Sequence, residues 1–404
     1  MFFGLHSSDN PMSDAPMNEA ESMERLTVTI TQAPHDQTLT FAIESQATLQ
    51  SDNELVEQYQ NFLEDQRLSW TTHHRLTRLL GAGGQGKVYL SERRGADDFT
   101  VPIALKVFSP ERFANEGEYI ETMKRHASVA MQIAQIQHDN LLDVHNFVDR
   151  NRIRMLVMEW IDGLDLRMLL SVDRMLRLKK QVTEERWLRI NDHIVTTTKN
   201  QPRFRSGAAV AIIRECLSAL EALHRHGIVH GDIKPGNIMI KRSGASKIID
   251  IGSAFSIDSP PPQRTCTPAY AAPEVLKGKV ATPLSDLASL GYVLIELISG
   301  RNPFAGKRTY DEMVQAKNDL PEQLEELLPP KLGNKEFLVN FCRKLIAVDP
   351  KDRFPNAAEA HINQQGAADY HRQLILDNAN ENIEFEYEIG LWLEEIMLAE
   401  EKAA

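Results

Sequence analysis

In HGDIKPGN an acid, a lysine and an amide stand close together: Asp232, Lys234 two residues on and Asn237 five on. Transfer of a phosphoryl group to a hydroxyl needs such a set. A carboxylate orients the nucleophile and takes its proton, a cation sits near the transferred phosphate, and an amide oxygen serves a hard metal ion. Thirteen residues past Asn237, DIG offers Asp250 as the main ligand for Mg²⁺, or for Mn²⁺ in its place. Each acid alone reads as an ordinary loop acid; their order and spacing carry the argument.

Upstream, GAGGQGKV runs through Gly81, Ala82, Gly83, Gly84, Gln85 and Gly86 to Val88, between two predicted strands. Glycines let backbone amides approach phosphate oxygens with no Cβ in the way. A dinucleotide fingerprint would need a helix to follow at once, and KVYLSE is a strand instead. An ordinary glycine hairpin fits this motif alone equally well. The balance shifts with IALK, which puts Lys106 twenty residues after Gly86 on the next strand, where its ammonium can pair with the α- and β-phosphates of ATP. Ala104 lies two residues before it and faces the adenine beside Val88, because strand side chains alternate.

These residues need elements to hold them. RLTRLLGAGGQGKVYLSE and VPIALKVF predict three strands, and LLDVHNFV and RIRMLVMEW two more, with a long helix from about Asn115 to Gln137 between. Beyond Gly163 the pattern is mainly helical. Strands first and helices later predict an α+β fold in two lobes, a small β-rich upper one and a larger helical lower one. Residues 1–22 are acidic and polar and are expected to be disordered. Residues 23–70 read as an extension with a β-hairpin (LTVTITQ and LTFAIES around PHDQ) and a polar helix from Asp52 to Arg67.

CTPAYAAPE, at residues 266–274, completes the pattern. With HGDIKPGN and DIG it closely resembles the protein kinase family, of the eukaryotic serine/threonine type and in a style similar to bacterial members. The resemblance covers residues 71–364 and implies the two-lobed kinase fold and transfer of the ATP γ-phosphate to protein hydroxyls. It makes Met158 the gatekeeper, puts the main chain of Glu159 and Ile161 on the adenine edge, and counts Met239 among the ATP-binding residues. It also makes Thr267 the threonine that bonds Asp232 and Lys234, pairs Glu274 with Arg353, and makes Asp286 the acid that holds the catalytic loop. HGD also occurs in kinases that resemble the aminoglycoside and choline phosphotransferases, but these lack the CTPAYAAPE shelf.

Two departures bear on regulation. Gly231 stands where most of the family carries Arg, which removes a partner for a loop phosphate. The family's upper-lobe glutamate is also missing: eleven residues before Asn140 lies Val129, and no acid occurs between Glu121 and Asp139. Glu121 and Glu118 lie two to three turns away, about 12–16 Å at 1.5 Å per residue. The expectation is that a shifted helix brings Glu121 to Lys106. A scaffold without turnover is the alternative.

Composition excludes other classes. Three separated cysteines (Cys216, Cys266, Cys342) rule out a disulfide framework or zinc ribbon, and the acidic start is not expected to act as a secretory signal. The longest apolar run is too short to span a bilayer, so a cytoplasmic protein is expected. The net charge of −12 concentrates at the ends: residues 1–70 carry twelve acids against two bases, and residues 365–404 carry ten against two. The insertion at residues 171–206 holds nine bases against four acids, with VDRMLRLKKQVTEERWLRI read as one basic amphipathic helix. It suits an acidic partner or the chain's own acidic helical tail (365–404), whereas nucleic acid is not expected as a partner.

Overall fold

The computed structural model describes residues 26–33, 36–43, 74–111, 113–197, 202–261, 266–307, 309–333, 336–377 and 384–402. The chain divides into two compact units, residues 1–71 and 72–404. In the first, threonines alternating with Leu26, Val28 and Ile30 suit a pleated strand. β1 (Leu26–Ala33) and β2 (Asp36–Ile43) pair antiparallel from Leu26↔Ile43 to Ala33↔Asp36. The expectations for residues 1–22 and for the helix from Asp52 to Arg67 lie outside the described residues.

The second unit begins with β3 (His74–Gly83), β4 (Gly86–Arg94), β5 (Thr100–Phe108), β6 (Val144–Arg150) and β7 (Ile153–Glu159). They form one antiparallel sheet in the order β3-β4-β5-β7-β6. Period-two alternation along β5 gives the sheet two different faces. Ile103 and Leu105 pack with Val157 in a small cluster on one face. Ala104 and its cross-strand partner Met158 join the main core on the other. Helix α1 (Glu116–Ile133) starts where the Asn115 side chain accepts the Glu118 N–H, and buries Tyr119, Met123, Ala130 and Ile133 at helical spacing. It ends four residues short of the expected Gln137.

After β8 (Gly163–Asp165), helices dominate, as the α+β two-lobed reading predicts. The insertion is not one helix but two, α2 (Val172–Lys179) and α3 (Glu184–His193), followed by the hairpin β9 (Val195–Thr197) and β10 (Pro202–Phe204). Thr183 is the reason: its side chain accepts the Arg186 N–H and begins a new helix. The central helices are α4 (Ser206–Arg225) and, beyond β11 (Ile228–Val229), β12 (Ile238–Lys241), β13 (Ser246–Ile248), β14 (Phe255–Ser256) and α5 (Pro273–Leu276), the helix α6 (Pro283–Ser299). Ile213, Leu217 and Leu220 of α4 share a core with Leu290 and Val293 of α6, all fully buried. At about 1.5–3 kcal/mol each, this apolar burial makes the platform beneath the site. A Thr282/Ser285 capping box opens α6 and Gly300 closes it. Then come α7 (Tyr310–Leu327), α8 (Glu336–Leu345), α9 (Ala357–Ile362), α10 (Ala367–Asp377) and α11 (Phe385–Glu401). Among the described residues no helix is long and apolar enough to cross a membrane.

Candidate active site

HGDIKPGN is shaped by one buried acid. Asp286 of α6, 1% exposed, accepts the His230 N–H and the Gly231 N–H, each at 2.9 Å, and lies 3.0 Å from His224 Nε2. Gly231 has φ +76°, and a Cβ there would stand 3.1 Å from the Ser253 carbonyl. The turn itself therefore disfavours a side chain at 231. The loop's acid is held from both sides. Asp232 Oδ1 accepts from the Thr267 hydroxyl at 2.7 Å and the Thr267 N–H at 3.1 Å, while Oδ2 accepts from Lys234 Nζ at 2.5 Å. Lys234 also donates to Thr267 Oγ1 at 3.1 Å, and Asn237 Nδ2 to the Asp232 carbonyl at 2.8 Å. Four side chains from two segments thus form one closed network.

Asn237 and Asp250 hang from the open end of the β12–β13 hairpin, paired Ile238↔Ile248 through Ile240↔Ser246. The Ile249 N–H donates to the Asn237 carbonyl at 2.9 Å and extends the ladder to the two side chains. Their oxygens suit a hard cation. Among the described residues no group of three or more His, Cys, Asp or Glu could hold a metal ion, so the carboxamide and the carboxylate stand as a pair. Asp250 has φ 61°, a left-handed conformation tolerated by Asp, and Ile251 behind it is buried in the core. Burial pushes the Asp250 carboxyl up, but Lys106 and the Gly252 N–H outweigh it and hold the group below its usual value.

The expectation that Glu121 reaches Lys106 is overturned. Glu121 is on the solvent side of α1 and pairs with Lys124 at 2.6 Å, while Glu118 accepts the Ala114 N–H at 2.9 Å. The expected position itself, Val129, is packed in the core, so the helix is not shifted. Lys106 instead donates to Asp250 Oδ1 at 2.5 Å and to Gln85 Oε1 at 2.9 Å. Gln85, counted only for its main chain in the glycine loop, also reaches Ser253 Oγ at 3.4 Å. Its oxygen would stand 1.9 Å from a Cβ at position 252, so Gly252 is what admits it.

Register sets the apolar wall. Val88 is directly opposite Lys106, and Ala104 opposite Met158, so these four side chains share a face. Ala104, Met158 and Ile161 are buried in the main core, and Val88 and Met239 are half-buried against that core. The Glu159 N–H donates to the Asp143 carbonyl at 3.0 Å, so of the Glu159 and Ile161 main-chain groups expected at an adenine edge this donor is already used. The Glu159 side chain, for its part, pairs with buried Lys247. Gly81, Ala82, Gly83, Gly84 and Gly86 form the β3–β4 hairpin beside this wall.

Below Thr267, Glu274 and Arg353 form a buried bidentate pair, both contacts at 2.8 Å, and Ser285 Oγ donates to Glu274 at 2.9 Å. Sequence reasoning missed Lys317. Its side chain is fully buried on α7. Nζ donates to the Ala269 carbonyl at 2.8 Å and lies 3.9 and 3.7 Å from the Tyr292 and Phe304 ring centroids. A signal was there: Met313, Lys317, Leu320 and Leu324 occupy one apolar stripe, with a lysine in a leucine's place.

Away from the cleft, α11 lies against the insertion. Glu388, 4% exposed, pairs with Arg186 at 2.7 Å and with Arg189, Glu395 pairs with Arg186 at 2.8 Å, and Glu400 with Arg174. Trp392 is fully buried, edge-on to Phe204 of β10.

Residues 74–364 match the family described as Protein kinase domain. The chain is 27% identical over 306 residues to serine/threonine-protein kinase PrkC of Bacillus subtilis, across 74% of this chain and 41% of that protein. It is 30% identical over 270 residues to serine/threonine-protein kinase PknA of Mycobacterium tuberculosis, across 64% of this chain and 54% of that protein. With the probable serine/threonine-protein kinase PknB of Lactococcus lactis the figure is 27% over 290 residues, 71% of this chain and 40% of that one. The matches thus span about half the length of these relatives.

Proposed function

Because the chain belongs to the protein kinase family, we propose that it transfers the γ-phosphoryl group of ATP to serine or threonine hydroxyls of proteins. The observation that carries this is the Asp232 network. Thr267 fixes one carboxylate oxygen and Lys234 the other, so the acid is aimed before a substrate arrives. Asp232 orients the incoming hydroxyl and takes its proton, and Lys234 lies beside it to meet the transferred phosphate. Asn237 and Asp250 would hold Mg²⁺, which with ATP supplies the phosphoryl group and offsets its charge. Lys106, released from Asp250, pairs with the inner phosphates. Val88, Ala104, Met158 and Met239 enclose the base, and the glycine loop covers the phosphates. Thr267 ties the CTPAYAAPE shelf to the acid, which favours a protein over a small-molecule acceptor. With Gly at 231, no loop phosphate is required for alignment.

One observation favours a second reading, a scaffold that binds nucleotide without turnover: α1 presents no carboxylate to Lys106, which pairs with Asp250 instead. Labelled ATP, a generic protein acceptor and an Asp232→Asn control separate the two. Incorporation by the wild type that collapses in the variant supports the kinase; equal incorporation by both sinks it.

A further inference from the structure

Two groups that a phosphoryl transfer needs, Asn237 and Asp250, are fixed by one short hairpin. Its closed end, Arg242–Gly244, lies five residues beyond Asn237 and six before Asp250, about 16–20 Å along the strands at ~3.3 Å per residue. That closed end is gripped by α11. A Cβ on Gly244 would meet the Glu386 carbonyl oxygen at 1.8 Å and the Gly390 nitrogen at 2.8 Å. A Cβ on Gly390 would meet the carbonyl carbon and oxygen of Ser243 at 2.9 Å. Backbone lies on backbone here, on two glycines that face each other. On its next face α11 is fastened by Arg186, Arg189 and Arg174 of the insertion. The same turn reaches the link between β7 and β8: Arg242 Nε donates to Asp162 Oδ2 at 2.7 Å, and the Arg242 N–H to the Asp162 carbonyl at 2.9 Å. β12 also pairs with β8 from Gly163 to Asp165.

We propose that α11 is a positioning element for the metal ligands, with the insertion as its anchor: together they clamp the turn of the β12–β13 hairpin and so set where Asn237 and Asp250 point. This rests on the kinase reading. Charge complementarity and the fully buried Trp392 fasten the clamp, and Glu388 is its lock, because removing the carboxylate leaves two guanidinium groups without their shared partner. The clamp predicts that damage to α11 is felt at the metal rather than at the protein substrate.

Gly390→Ala tests this sharply. Alanine strengthens the helix by its own propensity, yet drives a methyl into the Ser243 backbone. Glu388→Gln is a second variant with no added volume, and Tyr387→Ala, at an exposed position, is the control. Mn²⁺–ADP binding is read by the loss of free Mn²⁺ signal, Mg²⁺ dependence and peptide KM by labelled transfer, and folding by circular dichroism. Expected for both test variants, against a neutral control, is metal–nucleotide binding weakened several-fold and a raised Mg²⁺ requirement, with peptide KM unchanged and the fold retained. Unchanged Mn²⁺–ADP binding in both folded variants overturns the proposal, as does a loss that falls on peptide KM instead. If the wild type binds Mn²⁺–ADP but transfers nothing, the kinase reading fails while the binding comparison still judges the clamp.

Discussion

Lys317→Met should make the protein more stable at neutral pH. The side chain is fully buried and meets one carbonyl and two ring faces. Burial takes the ammonium from 10.5 down to about 6, with Cys266 opposing slightly. Between those values the unfolded chain binds one more proton than the folded chain, so stability rises with pH at about 1.4 kcal/mol per unit. At pH 7 the gap to the unfolded value is roughly 3.5 units, a cost of about 5 kcal/mol for keeping the amine neutral. Methionine fills nearly the same volume without that cost. It forfeits the bond to Ala269 and leaves a buried carbonyl unpaired, about 1–3 kcal/mol against it. The net gain is about 2–4 kcal/mol at pH 7, shrinking as pH climbs toward 10.5. Urea unfolding of both proteins between pH 6.5 and 9.5, followed by tryptophan fluorescence, measures it. Stability curves that run parallel in pH, or a methionine variant weaker at pH 7, would refute the reasoning, because the rings would then be holding a full cation. Freed from Lys317, the Thr267–Tyr270 shelf also loosens, so peptide KM rises in the same variant.

Arg353→Ala leaves the Glu274 carboxylate buried and unpaired and should cost about 3–5 kcal/mol in urea unfolding; a loss under about 1 kcal/mol would place the pair effectively in solvent. Gln85→Ala removes a carboxamide that ATP phosphates must displace from Lys106. About 1 kcal/mol of hydrogen bonding returned to the nucleotide is roughly a fivefold lower KM for ATP, and a higher KM would instead make Gln85 a helper. Phosphatase treatment should leave kcat unchanged, since position 231 offers no cation to a phosphate on Ser253, Ser256, Ser259 or Thr265; loss of activity on dephosphorylation is the contrary result.

What could be read from sequence was whatever a local pattern fixes. Alternation along VPIALKVF put Ala104 and Lys106 on one face, and the spacing of HGDIKPGN and DIG brought Asp232, Asn237 and Asp250 to one hairpin end, because both ends of that hairpin are short. Partner choice was less legible. A helix places its side chains by its own phase, and α1 is phased by Tyr119, Met123 and Ile133, which turns Glu121 outward whatever Lys106 requires. The break at Thr183 was hidden by continuous amphipathic spacing on either side of it. Gly390 gives no signal at all within its helix, since its reason lies in a turn almost 150 residues earlier.

These two lessons meet at Lys106. A kinase-like cleft without a helix carboxylate must hold its lysine some other way, or spend binding energy orienting it at each turnover. Here, until nucleotide displaces them, Asp250 and Gln85 hold the lysine, two groups that lie on the cleft floor and roof rather than on α1. Movement of α1 therefore cannot switch the lysine on and off through an ion pair. The elements that set the geometry are those that carry Gln85 and Asp250: the glycine hairpin above, and the β12–β13 hairpin below, whose turn is in the grip of α11. Control of such a site shifts from the upper-lobe helix to these two hairpins and what holds them.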